Sequence, residues 1–274
     1  MNRIRAALLV LPLTLGAAFV GYRRWAADRP RYPLPLDDAR CPRGMAYIPG
    51  GVARIKPDEV LEPSDDEMGL QLAPDSTGSL VHQVHIAPFC LDWNEVTVAD
   101  YDACLKAGKC SAPKAWLGIN ASQCNYGKKA SRYQPINCVS WLQSKEFCAF
   151  KGKRLPLEDE WQYAAEGGDQ GYRFPWGLDS DRDRECLEKW TGRKGTCPVR
   201  SYPPEAFGLF DMGGNVAEHT EFSCRGKPCP DQSQDQLNVP YSGTCWADDE
   251  GTAAARRHGA PDTGSPSIGF RCAK

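Results

Sequence analysis

The sequence predicts an α+β domain with a large irregular fraction, stapled by disulfides. Three observations carry that expectation. Glycine (26) and proline (22) are abundant among the 274 residues, so turns are frequent and long helices few. Only three segments combine a helix-start signal with a glycine stop. Thirteen cysteines without a single C-x-x-C pair point to disulfides in an oxidising compartment, not to a zinc ribbon or a thioredoxin-like motif. Hydrophobic residues at 41% and charged residues at 25% fit a globular protein, and the length allows a sizeable core.

Taken in order, residues 1–25 read as a signal peptide or an uncleaved signal anchor. Arg3 and Arg5 precede the apolar stretch "AALLVLPLTLGAAFVGY", and Arg23 and Arg24 follow it. Its 17 residues are long for a signal-peptide core and at the short limit for a membrane span. Export to the periplasmic or extracellular side is the expectation, with the membrane as a partner if the segment is retained. Residues 26–40, "AADRPRYPLPLDDAR", read as a Pro-rich linker, and 41–274 as one domain without internal repeats. Residues 1–31 hold six arginines and one acid, or +5; the remaining 27 basic and 34 acidic residues give −7. Without a clustered basic patch, nucleic acid is not an expected partner.

Within the domain, "MAYIPG", "VHQVHIAPFCLDW" and "IGFRCAK" read as strands. Residues 56–79 form an acidic, turn-rich insertion; Asp65, Asp66 and Glu67 offer carboxylates to calcium, but a solvated loop explains them more simply. The first helix follows Thr97, whose capping-box partner is Asp100, and stops at Gly108. The second follows Ser140, with Gln143 as partner, and stops at Gly152. The third is "PLEDEWQYAAEGG", with Pro156 in its first turn and Gly167 as its stop; Leu157, Trp161 and Ala164 share its buried face. No nucleophile elbow, P-loop or dinucleotide fingerprint occurs.

Seven blocks then occur in a telling order: "CPRGMAYIPGG", "FCLDWNEVTVADY", "PINCVSW", "KGKRLPLEDEWQYAAEGG", "FPWG", "FGLFDMGGNVAEHT" and "GFRC". Together they resemble the formylglycine-generating enzyme (sulfatase-modifying factor) family across residues 41–274. The resemblance implies a single compact fold related to C-type lectins, with bound calcium. In active members it implies oxidation of a sulfatase cysteine to formylglycine, using oxygen and copper(I) held by two cysteines. The family's calcium ligands fall on Asp211, Gly214, Val216 and Glu218, a hard-oxygen set. A second calcium site near "RECLEKW" is in doubt because Glu185 stands where the family has asparagine. The resemblance also pairs Cys148 with Cys272. Among the other eleven cysteines, closeness in sequence suggests Cys104–Cys110, Cys186–Cys197 and Cys224–Cys229, with Cys124–Cys138 and Cys41–Cys90 as looser pairings; connectivity stays open at this level. Cys245 is then left over.

The copper pair is where the sequence departs from the family. Copper(I) is soft and selects thiolates. One alignment of the motif "GGSxxCxxxxC" puts its cysteines at Thr244 and Asp249, the other at Ala247 and Thr252. Cys245 misses both, and no partner follows it before Cys272. Copper(I) is therefore not expected, and Cys245 is only a weak candidate for catalysis. Family tryptophans lining the substrate groove are replaced by Ala217 and His219, while Arg256 matches a groove arginine. A non-haem iron oxygenase needs three histidines; His82 and His85 fall on opposite faces of a strand, and the others are His219 and His258. The expectation is an exported, non-catalytic binding or accessory module, with a peptide or protein ligand in a cleft near Ala217, His219 and Arg256. The alternatives are an active formylglycine-generating oxidase or related oxygenase, and a structural bacterial-type envelope protein. Whether the chain is an enzyme stays open.

Overall fold

A computed structural model of the chain describes residues 30–55, 72–74, 80–113, 121–223, 226–229, 238–253 and 255–274. The segment 1–25, the acids Asp65, Asp66 and Glu67, and Cys224 lie outside the described residues. Among those described, no helix is long and apolar enough to cross a membrane.

Local capping starts the first two helices. In α1 (Val98–Lys106) the Thr97 hydroxyl accepts from the Asp100 N–H, and the Asp100 carboxylate accepts from the Thr97 N–H. In α2 (Trp141–Phe150) Ser140 and Gln143 do the same. The third helix, α3 (Glu158–Ala165), starts later than the sequence suggests. Pro156 lies outside its first turn; Leu157 is the N-cap, and its N–H donates to the Glu160 carboxylate. Gly167, at φ 71°, ends it, and Leu157, Trp161 and Ala164 are buried. A one-turn helix, α4 (Glu188–Thr191), has no side-chain cap to announce it in the sequence.

The strands are shorter than expected. "MAYIPG" gives β1 (Met45–Ile48). It is followed by β2 (Gly51–Ile55) and by β3 (Leu72–Pro74), which falls in the stretch expected to be a loop. The run "VHQVHIAPFCLDW" splits into β4 (Leu80–Ile86) and β5 (Phe89–Asp92), in different sheets. The break falls at Pro88, which has no N–H for a ladder. β1 pairs with β5, while β2, β4 and β3 form an antiparallel sheet in that order. The chain end is sewn to β5: Lys274 and Cys90 exchange two backbone hydrogen bonds.

The C-terminal sheet positions the site. It contains β6 (Ala217–His219), β7 (Val239–Ser242), β8 (Arg256–Gly259) and β9 (Ile268–Gly269), in the order β8-β7-β6-β9. Glu218 lies opposite Ser242, which lies opposite Arg256; His219 lies opposite Tyr241, which lies opposite Arg257. Facing residues share a side and neighbours alternate, so Glu218 and Arg256 point to one face. Ala217, His219, Tyr241 and Arg257 point to the other. The first face meets α3, whose Trp161 belongs to a core with Ile48, Val84, Phe210 and Met212. From the second face, Val239 joins a core with Val139, Trp141, Phe147 and Phe270. Gly243, at φ 82°, lets β7 leave close to Trp161: a Cβ there would sit 2.7 Å from the indole.

Five disulfides tie these layers: Cys41–Cys90, Cys104–Cys110, Cys124–Cys138, Cys148–Cys272 and Cys186–Cys197. Cys229 is disulfide-bonded as well. Cys148–Cys272 spans 124 residues and joins α2 to the chain end. In the chain-entropy picture such a loop is worth roughly 4–5 kcal/mol. The linker is not a loose tether throughout, since the N–H groups of Arg31 and Tyr32 donate to the Arg200 carbonyl at 3.0 and 3.2 Å.

Candidate functional site

The turn "DMGGNVAE" enters β6 through two non-glycine residues in the left-handed region, Asp211 (φ 58°) and Asn215 (φ 56°). Both are held by hydrogen bonds. The Asp211 carboxylate accepts from the Arg200 N–H at 2.6 Å. The Asn215 side-chain oxygen accepts from the Cys197 N–H at 2.9 Å, and its amide donates to Glu95 at 3.0 Å. The Asn215 N–H donates to the Cys186 carbonyl, so both residues of the Cys186–Cys197 bond hold Asn215. The Gly214 N–H donates to the Thr244 hydroxyl at 3.0 Å, which ties the turn to the loop carrying Cys245.

In the expected calcium set, Glu218 is engaged by protein partners in this arrangement. Glu218 is fully buried, and both its oxygens accept from the Arg271 guanidinium at 2.7–2.9 Å. One also accepts from the Trp161 indole at 2.8 Å. A calcium ion needs several oxygens at once, and this carboxylate is already charge-paired and saturated. Among the described residues no group of three or more His, Cys, Asp or Glu side chains converges on a metal position. Desolvation weighs on the other acids around the turn. Burial, then Asp211 and Glu218, holds Glu95 well above the usual carboxylate range; burial likewise raises Glu205, and Asp211 to about 6. Glu185, beside the doubtful second site, is a buried carboxyl held by the Trp190 indole and pushed up to about 7 by desolvation.

The three residues expected to line one cleft are not brought together. Ala217 and His219 are 1% and 2% exposed, within the core. His219 Nε2 meets the Val139 carbonyl at 3.2 Å, and burial holds its pKa down to about 4, so it is neutral at ordinary pH. Arg256 lies on the opposite face. It donates to Asp159 at 2.9 Å and to Gln162, and it lies 3.5 Å from Glu158. The reason is strand alternation: two positions apart along β6 share a face, but the register of β8 puts Arg256 across the sheet from them.

The copper position fails on donors. Thr244 is buried and accepts from Gly214; Cys245 is the one unbonded cysteine among the described residues and is 5% exposed. Its N–H donates to Asp248 at 2.8 Å, and Asp248 receives both Arg257 nitrogens at 3.1 Å. Burial pushes the Cys245 thiol up, with Asp248 adding to the effect, so the thiolate is disfavoured. Cys272, the next cysteine downstream, is bonded to Cys148. The histidines offer no substitute: His82 is buried and His85 exposed, as their alternation implied, while His219 and His258 point to opposite faces of the sheet.

The model of the sulfatase-modifying factor enzyme 1-like domain matches residues 33–274. The chain belongs to this family. Family members named "Inactive C-alpha-formylglycine-generating enzyme 2" from Bos taurus and Mus musculus are 35% and 34% identical over 158 residues, 51% of this chain. The chain spans about half the length of these curated relatives. The "Formylglycine-generating enzyme" of Streptomyces coelicolor is 26% identical over 88% of this chain and 92% of its own length. Among solved structures, PvdO from Pseudomonas aeruginosa superposes with a TM-score of 0.63 at 29% identity, covering 88% of this chain and 97% of that one.

Sequence reasoning missed the buried pair Arg271–Glu218 and the hub Asn215. A signal was available for the first. Arg271 sits in "IGFRCA" between apolar residues, and a cation in such a run needs a buried acid.

Proposed function

We propose that the chain is an exported, non-catalytic member of the sulfatase-modifying-factor family that serves as a binding or accessory module. One observation carries this reading: the loop where active members keep two copper-binding cysteines offers a single buried thiol, and every other described cysteine is bonded. One thiol with a raised pKa is a poor ligand for copper(I) and a poor nucleophile. The relatives named as inactive support the reading. Export is supported by the disulfides, which persist in oxidising compartments, and by the basic-apolar-basic pattern of residues 1–25.

The ligand surface in this reading is the accessible rim of the Cys245 face. Tyr241 and Arg257 are half-buried there, beside Asp248. On the same flank α4 packs against the loop, with the Glu188 N–H donating to the Trp246 carbonyl at 2.7 Å and Trp190 40% exposed. An exposed tryptophan together with a half-buried tyrosine and arginine suits a peptide or protein segment. The test is a peptide bearing the sulfatase motif C-x-P-x-R, incubated with the full chain, copper(I) and oxygen, and read by mass spectrometry. Unchanged peptide is expected. Conversion of its cysteine to formylglycine would overturn the reading.

A further inference from the structure

Residues 30–40 cross the outside of the body as a strap held at three points. The N–H groups of Arg31 and Tyr32 donate to the Arg200 carbonyl, and the Arg200 guanidinium donates back to the Tyr32 carbonyl at 3.3 Å. Pro35 packs on Gly208, where a Cβ would come within 3.3 Å of the proline ring. The Asp37 carboxylate accepts from the Gly44 N–H at 3.1 Å. Pro30, Pro33 and Pro35 preset the backbone between these points. The strap is fixed, yet it turns large apolar side chains outward: Tyr32 is 36% exposed, Leu34 46% and Leu36 96%. Phe150, also exposed, belongs to the same face, because Lys151 shares a cavity wall with Leu34 and its ammonium lies 5.8 Å from the Phe150 ring centre. Among the described residues only Leu142, Leu178 and Trp190 are large, apolar and comparably exposed elsewhere. Single exposed leucines are ordinary, but four such groups on one face form a patch that marks an interaction surface.

The charge around the patch is mostly positive. Arg31, Arg40, Arg43 and Lys151 are exposed there, against Asp37 and Asp38, which are paired with Arg43 and Arg40. Arg31 and Lys151 are in surplus. Chain length limits which way the patch can face. The apolar run of the N-terminus ends at Tyr22, nine residues before the attachment at Arg31. Nine residues span at most about 32 Å in any conformation, less than the roughly 45 Å width of a domain of this size. With the run held in a bilayer, the strap side of the body cannot be turned away from the lipid. Arg23, Arg24 and Arg29 lie on the way and add positive charge.

We infer that the strap face rests on an anionic phospholipid bilayer, with Tyr32, Leu34, Leu36 and Phe150 at the headgroup–acyl boundary and Arg31 and Lys151 against lipid phosphates. Apolar and basic groups side by side are the chemistry of interfacial binding. The inference rests on the export reading and on residues 1–25 acting as an anchor; it does not involve the Cys245 loop.

The test places the full chain, with leucine methyl groups labelled, in nanodiscs of phosphatidylcholine and phosphatidylglycerol, and records NOEs from lipid acyl protons by NMR. NOEs are expected to the leucines of residues 6–22 and to Leu34 and Leu36, and none to Leu142 and Leu178. Leu36→Asp, at a position exposed enough to leave folding intact, should cut the Leu34 NOEs at least about five-fold, the worth of one charge near an anionic surface. Nanodiscs of phosphatidylcholine alone should cut the Leu34 and Leu36 NOEs by a similar factor. NOEs to residues 6–22 without NOEs to Leu34 and Leu36 overturn the inference and leave the anchor standing. No NOE to any leucine overturns both. Equal NOEs at Leu142 and Leu178, or NOEs unchanged in Leu36→Asp or in phosphatidylcholine alone, also overturn the inference. None of these outcomes bears on the non-catalytic reading, which the sulfatase-motif peptide tests separately.

Discussion

The two faces of the C-terminal sheet are built from different materials. The face toward α3 carries charge that is fully spent: Glu218 on Arg271 and Trp161, Arg256 on Asp159, Glu158 and Gln162. The other face carries Ala217, neutral His219, Tyr241 and Arg257, and beside them the single thiol of Cys245. The first face is a closed framework. The second is mixed: Ala217 and His219 are buried and uncharged, while Tyr241 and Arg257 reach the accessible rim beside the Cys245 loop.

This contrast can be broken most severely on the framework side. Arg271→Met leaves the fully buried Glu218 without its cation, and urea unfolding should show a loss of about 3–5 kcal/mol. Adding Glu218→Leu should return most of that loss, because the penalty lies in the orphaned charge.

On the other face the expected effect is smaller and depends on pH. His219 titrates at about 4 in the folded chain, below the ordinary 6.5, because it is desolvated. The unfolded chain therefore takes up the proton first as pH falls through 6.5. This residue's contribution is complete above that pH and is lost progressively down to pH 4, by about 3 kcal/mol. His219→Gln should remove this slope, seen as a flatter dependence of Tm on pH between 6.5 and 4 than in the parent chain.

The smallest effect belongs to the rim. Arg257 and Asp248 are 40% and 22% exposed, and a double-mutant cycle between them should give no more than about 1 kcal/mol. A much larger coupling would mean that the Cys245 loop is held as tightly as the framework.

Much of the fold was legible in the sequence because its signals are local. The capping pairs Thr97/Asp100 and Ser140/Gln143 sit three residues apart, and the cysteines of the Cys104–Cys110 and Cys186–Cys197 bonds are near neighbours. β6, β7 and β8 were not legible. They are three or four residues long, and "RRHG" looks like a solvated charge run until Asp159 and Asp248 are placed against it. The missing copper cysteines could be read by counting residues. The placement of Ala217 and His219 in the core could not, since it depends on which face of a non-local sheet each occupies. The engagement of Glu218 by Arg271 was hidden for a similar reason, since the two lie 53 residues apart.

Titrating copper(I) into the full chain with its disulfides intact, beside Cys245→Ser, decides whether the Cys245 loop holds a copper centre. Weak binding, the same in both proteins, is expected. Tight, stoichiometric binding that vanishes in Cys245→Ser would show instead that the loop is a copper site.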